Sequence, residues 1–175
     1  MLNSTVVDNL NKQINLEFYS SNLYLQMGSW AAFKGLDGCA TFLKDHAGEE
    51  MGHMQRLFDY VNECGAIAII GMIEAPATEY ESIKSVFEQI YEHECFVTKS
   101  INELVHSTFE QHDYSTFNFL QWYVAEQHEE EKIFKGILDK IEIIGTEGRG
   151  LYHFDREMGR FDGSSISVDG GSASE

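Results

Sequence analysis

Glu50, Met51, Gly52 and His53 set a carboxylate and an imidazole three residues apart. On a helix that spacing puts both groups on one face, where they can grip one metal ion. A lone Glu-x-x-His is common by chance, so its surroundings decide what it means. Apolar residues recur here in steps of three and four along four segments, the pattern of a buried helix seam. One seam reads Leu10, Ile14, Glu17, Ser21, Tyr24, Gly28, Ala31. The next reads Leu43, His46, Glu50, His53, Leu57, Tyr60, Cys64. The third is Ile83, Phe87, Ile90, Glu94, Val97, Ile101, Leu104, and the fourth is Leu120, Tyr123, Gln127, Glu130, Phe134, Ile137, Ile141.

Each seam carries a glutamate near its middle. Four carboxylates in one dry core repel one another and lose hydration, which costs several kcal/mol per unpaired group. They must take up protons or hold cations between them. No Lys or Arg occupies any of these seam positions to neutralise them. Four carboxylates and one imidazole suit iron or manganese better than a structural zinc. Di-iron bundles use one Glu from each of two helices and Glu-x-x-His from each of the other two. Glu17 and Glu94 fill the single positions, and Glu50 with His53 fills one pair. The last helix departs, with Gln127, His128, Glu129 and Glu130 and no second ligand histidine in register. The expected pair of sites is therefore asymmetric. One is Glu17, Glu50 and His53; the other is Glu94, Glu130 and a bridging Glu50, with Gln127 close by. Tyr24 needs a partner for its buried hydroxyl, and a ligand carboxylate would serve. Trp122 and His46 read as packing or supporting residues.

The elements that must position these groups are helices. The chain has 175 residues and one proline, Pro76, with no alternating strand pattern of any length. Length suffices for one domain with a real core. The expected helices run from Ser4 to Lys34, Gly38 to Cys64, Ser82 to Glu110 and Asp113 to Gly145, with a short fifth from Arg149 to Gly159. Asp37 is positioned to cap the second. Thr78 and Glu81 have capping-box spacing before the third. The short links make two antiparallel hairpins. The link from Ala66 to Tyr80 is long enough, at ~3.3 Å per residue, to run the length of a ~40 Å helix. The second and third helices can then lie parallel. Its residues Ile67, Ile69, Ile70 and Ile73 suggest packing on the bundle. Gly28, Gly48 and Gly52 interrupt helices, which close helix approach or iron access would explain. The domain is read as residues 1–161, and the Gly/Ser-rich residues 162–175 as a disordered tail.

Composition narrows the function. A formal net charge of −17 disfavours nucleic acid and anionic membranes and fits a cation-handling protein. No apolar run is long enough to span a bilayer, and the first residues lack a signal pattern, so the expectation is cytoplasmic. Three cysteines without CxxC form neither a disulfide framework nor a zinc knuckle and read as small buried residues.

The segments Asn15 to Ser21, His46 to Tyr60 and Phe117 to Lys132 resemble the bacterial non-haem ferritins, over residues 1 to 160. The resemblance implies an all-α, ferritin-like four-helix bundle with one long crossover and a short fifth C-terminal helix. It implies a ferroxidase centre at Glu17, Glu50, His53, Glu94 and Glu130, with Fe(II) and O₂ or H₂O₂ as substrates. It also implies a third iron position at Glu49, Glu126, Glu129 and Glu130, of which Glu126, Glu129 and Glu130 can converge on one helix face. It suggests that Tyr24 supplies an electron to oxygen, and that a 24-subunit hollow shell stores hydrated ferric oxide. Bacterioferritin, a near relative, has Glu-x-x-His on both helices and a haem-ligating methionine. The missing second histidine argues against haem at Met51. A rubrerythrin-like peroxide reductase would need an iron–sulfur or CxxC module, which the sequence lacks. An iron buffer without turnover would share the same ligands.

Overall fold

The computed structural model describes residues 2–161, so the expected tail at 162–175 lies outside them. Five helices form: α1 Ser4–Phe33, α2 Asp37–Glu63, α3 Ile83–Glu110, α4 Tyr114–Ile144 and α5 Arg149–Met158. There is no strand among the described residues. Three of the starts are closed by local side chains. Asn3 accepts from the Thr5 amide, Ser82 from the Ser85 amide and Asp113 from the Thr116 amide, each relieving a free N–H of a first turn. Ser82, rather than Thr78 with Glu81, therefore caps α3.

The α2 start differs from the expected Asp37 cap. Asp37 is the first helical residue, and the cap position, Leu36, makes no side-chain cap bond. The capping carboxylate comes from α5: Asp155 Oδ1 accepts from the Cys39 amide at 2.9 Å. Gly38 lets α5 come this close, since a Cβ there would sit 1.8 Å from the Asp155 carbonyl oxygen. Each hairpin link needs one left-handed residue, supplied by Gly35 (φ 77°) and by His112 (φ 55°).

The core has two apolar clusters. One joins the end of α1, the start of α2, the start of α3, the end of α4 and α5, around Met27, Leu43, Phe87, Phe134 and Phe154. The other joins the opposite ends, around Leu10, Leu57, Ile101 and Leu120. Because α2 and α3 both start in the first cluster, they run parallel. The link between them, residues 65–81, therefore travels the bundle's length, the ferritin-like arrangement. At ~1.5 Å per residue, Glu50 and Glu94 lie ~20 and ~17 Å beyond the starts of their helices, and Glu17 and Glu130 ~24 and ~21 Å before the ends of theirs. All four fall in one layer between the two clusters.

The crossover is held differently from the expectation. Ile67, Ile69 and Ile70 are exposed and Ile73 is half-buried. The link is tied down through its backbone instead. The Asn11 amide donates to the Ile67 carbonyl and accepts from the Ile69 N–H. The Asn15 amide donates to the Ile69 carbonyl and accepts from the Gly71 N–H. Two asparagines one turn apart thus act as a partner strand. Tyr80 anchors the far end, edge-on to Trp30. Of the cysteines only Cys39 is buried; Cys64 and Cys95 are half-exposed. Gly28 sits in a close approach, 3.3 Å from the Ala40 carbonyl for an added Cβ, whereas Gly48 and Gly52 meet nothing within 4 Å.

The Asp155 cap and Gly38 contact should dock α5. Asp155→Ala is expected to destabilise the fold by about 1 kcal/mol, and Gly38→Val by more, because its side chain cannot coexist with the Asp155 carbonyl. Chemical denaturation followed by circular dichroism measures both; a Gly38→Val protein as stable as wild type would contradict this packing.

Candidate metal centre

Between the two apolar clusters lies a layer of buried polar side chains: Gln13, Glu17, Ser20, Ser21, Glu50, His53, Glu94, Gln127 and Glu130. Glu17 comes from α1, Glu50 and His53 from α2, Glu94 from α3, and Gln127 and Glu130 from α4. The seam spacing turns each of them inward, and no described member is more than 7% exposed among these charged groups. Among the described residues, no Lys or Arg pairs with any of the four buried glutamates.

One set is already assembled. Ligand atoms of Glu17, Glu50 and His53 all lie within 4.8 Å of one another. His53 Nδ1 is 3.3 Å from Glu50 Oε2. The Tyr123 hydroxyl donates to the His53 carbonyl at 2.8 Å, and the Trp122 ring stands edge-on to the imidazole at 5.3 Å. These contacts fix the helix turn and the ring plane.

A second set gathers His46, Glu49 and Glu130, again within 4.8 Å. His46 Nε2 is 3.6 Å from Glu130 Oε2 and 3.8 Å from Glu49 Oε2. Its ring is wedged between Phe42 and Phe134. Burial works against charge on His46, but Glu130, then Glu49 and Glu94, outweighs it and raises the imidazole pKa. Reading the sequence for packing alone underrates His46. Its place one turn before Glu50 in the same seam is the signal that could have promoted it.

Glu94 stands apart from both sets. The Tyr24 hydroxyl donates to one of its oxygens, and Gln127 Nε2 donates to the other at 2.9 Å. The partner expected for the Tyr24 hydroxyl is thus a carboxylate of the layer. Of the remaining expected residues, Glu126 Oε1 points toward His53 Nε2 at 3.9 Å, while half-buried Glu129 accepts from Lys132 on its own helix. Glu49 and Glu130 therefore meet through His46, and Glu126 and Glu129 lie outside that set.

Electrostatics mark the layer. Burial, followed by repulsion from Glu50, pushes the Glu17 pKa well up; burial, followed by Glu94 and Glu130, does the same to Glu50. Glu94 is raised to about 7, by burial first and Glu130 second, against the opposing pull of its two donors. Burial and Glu94 push the Tyr24 phenol up as well. Glu17 Oε2, Glu50 Oε1, His46 Nε2 and Glu130 Oε2 are buried without a hydrogen-bond partner. Only Trp30 Nε1 joins them among the described residues, so the orphaned atoms concentrate in this layer. Carboxylate oxygens with a few imidazole nitrogens form a donor set that fits iron.

Fold and layer together define a class: helical bundles with one long crossover and a carboxylate-rich core. Comparison with known proteins narrows it. The family model for the ferritin-like domain matches residues 7–144. The chain is 59% identical over 159 residues to a probable bacterial non-haem ferritin-like protein of Haemophilus influenzae, covering 91% of this chain and 96% of that one. It is 50% identical over 162 residues to a bacterial non-haem ferritin of Escherichia coli, covering 93% and 98%. Among solved structures, an open-pore ferritin of Archaeoglobus fulgidus superposes with a TM-score of 0.89 at 40% identity, covering 92% of this chain and 98% of that one. The chain belongs to the ferritin family, among its bacterial non-haem members.

Raised carboxyl pKa values have a consequence for the metal-free protein. A group whose pKa is higher folded than unfolded stabilises the fold below its ordinary pKa, and that stability is lost as pH rises through the folded value. For Glu94 alone the span from 4.5 to about 7 corresponds to on the order of 3 kcal/mol. The melting temperature of apoprotein should fall between about pH 5 and about pH 8, and fall less in Glu94→Gln. Zn(II), a cation without redox chemistry, should raise it more at the higher pH. A flat profile shared by both proteins would refute this assignment of charge.

Proposed function

We propose that the protein is an iron-storage ferritin with ferroxidase activity. It takes Fe(II) as substrate at the buried carboxylate layer, oxidises it with O₂, and keeps the ferric product as an oxide-hydroxide mineral inside a hollow homo-oligomer. The observation that carries this reading is the concentration of orphaned carboxylate and imidazole atoms in one dry layer, with no Lys or Arg among the described residues paired to its acids. Membership of the ferritin family adds to it.

In this reading Glu17, Glu50 and His53 take the first Fe(II), and Glu50 bridges toward Glu94 and Glu130, which take the second. Gln127 orients Glu94 through its amide. Bound Fe(II) supplies the electrons that reduce O₂, and the protein's part is to hold two cations close with open positions. Tyr24, hydrogen-bonded to Glu94, is placed to give an additional electron. Glu49, Glu126 and Glu129, with Glu130, carry a third iron toward the cavity, and His46 lies with Glu49 and Glu130. Apolar side chains left in water, Met72 at 91% and Ile67 at 76% exposure, are the surfaces that other subunits of a 24-subunit shell would cover. No described helix is long and apolar enough to cross a membrane, and we place the work in the cytoplasm.

Aerobic addition of Fe(II) to apoprotein should give rapid O₂ uptake, reduced to background in Glu50→Ala. Iron binding without O₂ uptake would identify an iron buffer instead. On sizing chromatography the native particle should run at several hundred kilodaltons, and a monomer would remove the storage function.

A further inference from the structure

Gln13 is a buried amide, 1% exposed, one turn before Glu17 on α1. Its Nε2 donates to Glu17 Oε1 at 2.8 Å. Its own Oε1 accepts from Ser100 Oγ, on α3, at 2.7 Å. Both ends of the amide are therefore assigned. Against an ionised Glu17 only the NH₂ end can pair, because a carboxylate only accepts, and the carbonyl end then accepts from the Ser100 hydroxyl. A flipped amide would set its oxygen against the carboxylate and leave two acceptors in contact.

The result for Glu17 is a division of labour between its two oxygens. Oε1 is held by Gln13 and Oε2 is buried with no hydrogen-bond partner, while the carboxylate as a whole lies beside Glu50 and His53. We propose that Gln13, oriented by Ser100, is a positioning residue that presents Glu17 to the first Fe(II) through one oxygen only, and so keeps that position assembled before metal arrives. This rests on the reading of the Glu17, Glu50 and His53 set as an iron site. Glutamine suits the task because it is a donor without charge. A lysine would pair with Glu17 permanently and compete with the cation. A hydrophobic residue would leave both oxygens free to turn, to chelate or to protonate. The pairing at i and i+4 on one helix makes Gln13 and Glu17 move as a unit, and Ser100 ties that unit to the helix carrying Glu94. Contacts of this kind around a metal ligand typically govern 10–100-fold in affinity.

The test is anaerobic calorimetry of Fe(II) binding to apoprotein, alongside the visible absorption of bound Co(II), which reports coordination number without turnover. Gln13→Met keeps the volume and removes the donor. It should weaken the tightest Fe(II) site about ten-fold and alter the Co(II) spectrum. Ser100→Ala should move both readouts the same way by less, and Ser100→Thr, which keeps the hydroxyl, should restore them. If Gln13→Met loses helicity, Ser100→Ala carries the test. Wild-type affinity and an unchanged Co(II) spectrum in a folded Gln13→Met, or in Ser100→Ala where Gln13→Met does not fold, would overturn the proposal. Glu17→Ala separates this from failure of the underlying reading. If Glu17→Ala binds Fe(II) like wild type, the iron site itself is misplaced. If it loses the site while Gln13→Met does not, only the role of Gln13 falls.

Discussion

Repulsion among carboxylates at one height in a dry bundle is the constraint from which the rest of this structure follows. Glu17, Glu50, Glu94 and Glu130 come from four helices and are all nearly inaccessible to water. Such a layer would push the helices apart if it stood alone. It is clamped on both sides. The cluster around Phe87 and Phe134 closes one end and that around Leu57 and Leu120 the other. Apolar packing thus supplies the stability that the layer subtracts, and it does so without contributing any group that would neutralise the acids.

The way the acids are held is as telling as their presence. Every donor that reaches Glu17 or Glu94 is neutral: the amides of Gln13 and Gln127 and the phenol of Tyr24. Neutral donors orient a carboxylate and satisfy part of its need for hydrogen bonds, yet leave its charge available. An arginine in the same place would form a bidentate pair and close the site to cations. The layer is also asymmetric. Glu17 has one oxygen tied and Glu94 has both, while Glu50 and Glu130 each keep an orphaned oxygen. Two sets are assembled without rearrangement, Glu17 with Glu50 and His53 and His46 with Glu49 and Glu130, whereas Glu94 has one lone pair of each oxygen already engaged by a neutral donor.

Much of this is legible in the sequence because burial in a bundle follows a period. The seams of α1, α3 and α4 read from the sequence are buried throughout. In α2 the pattern drifts: Tyr60 and Cys64 are half-buried and Val61 takes the inward place. A strict alternation of three and four assumes 3.5 residues per turn, and a real helix has 3.6, so the error accumulates toward the helix end. Other features were out of reach for a different reason. The cap on α2 comes from Asp155, far along the chain, and no local pattern announces it. Whether Gln127 holds Glu94, or Gln13 holds Glu17, depends on rotamers that spacing does not specify. The exposure of Ile67 and Ile69 was hidden for the same reason, since apolar character alone does not say that asparagines will bind the backbone beside them.

That last point links the crossover to the site through a single helix. On α1, Asn11 and Asn15 form one pair at i and i+4, and Gln13 and Glu17 form another, interleaved over the same turns. The first pair faces the crossover and fixes its backbone; the second faces the core and fixes a carboxylate. Because an α-helix is stiff over so short a span, the height of the crossover and the height of Glu17 cannot vary independently. Polar pairing of the crossover also frees Ile67, Ile69 and Ile70 from the bundle, so they face outward. Burying them against a further subunit would load force onto the same segment of α1 that sets Glu17. Two short polar stripes thus let one helix carry both the chain's longest connection and a corner of its carboxylate layer.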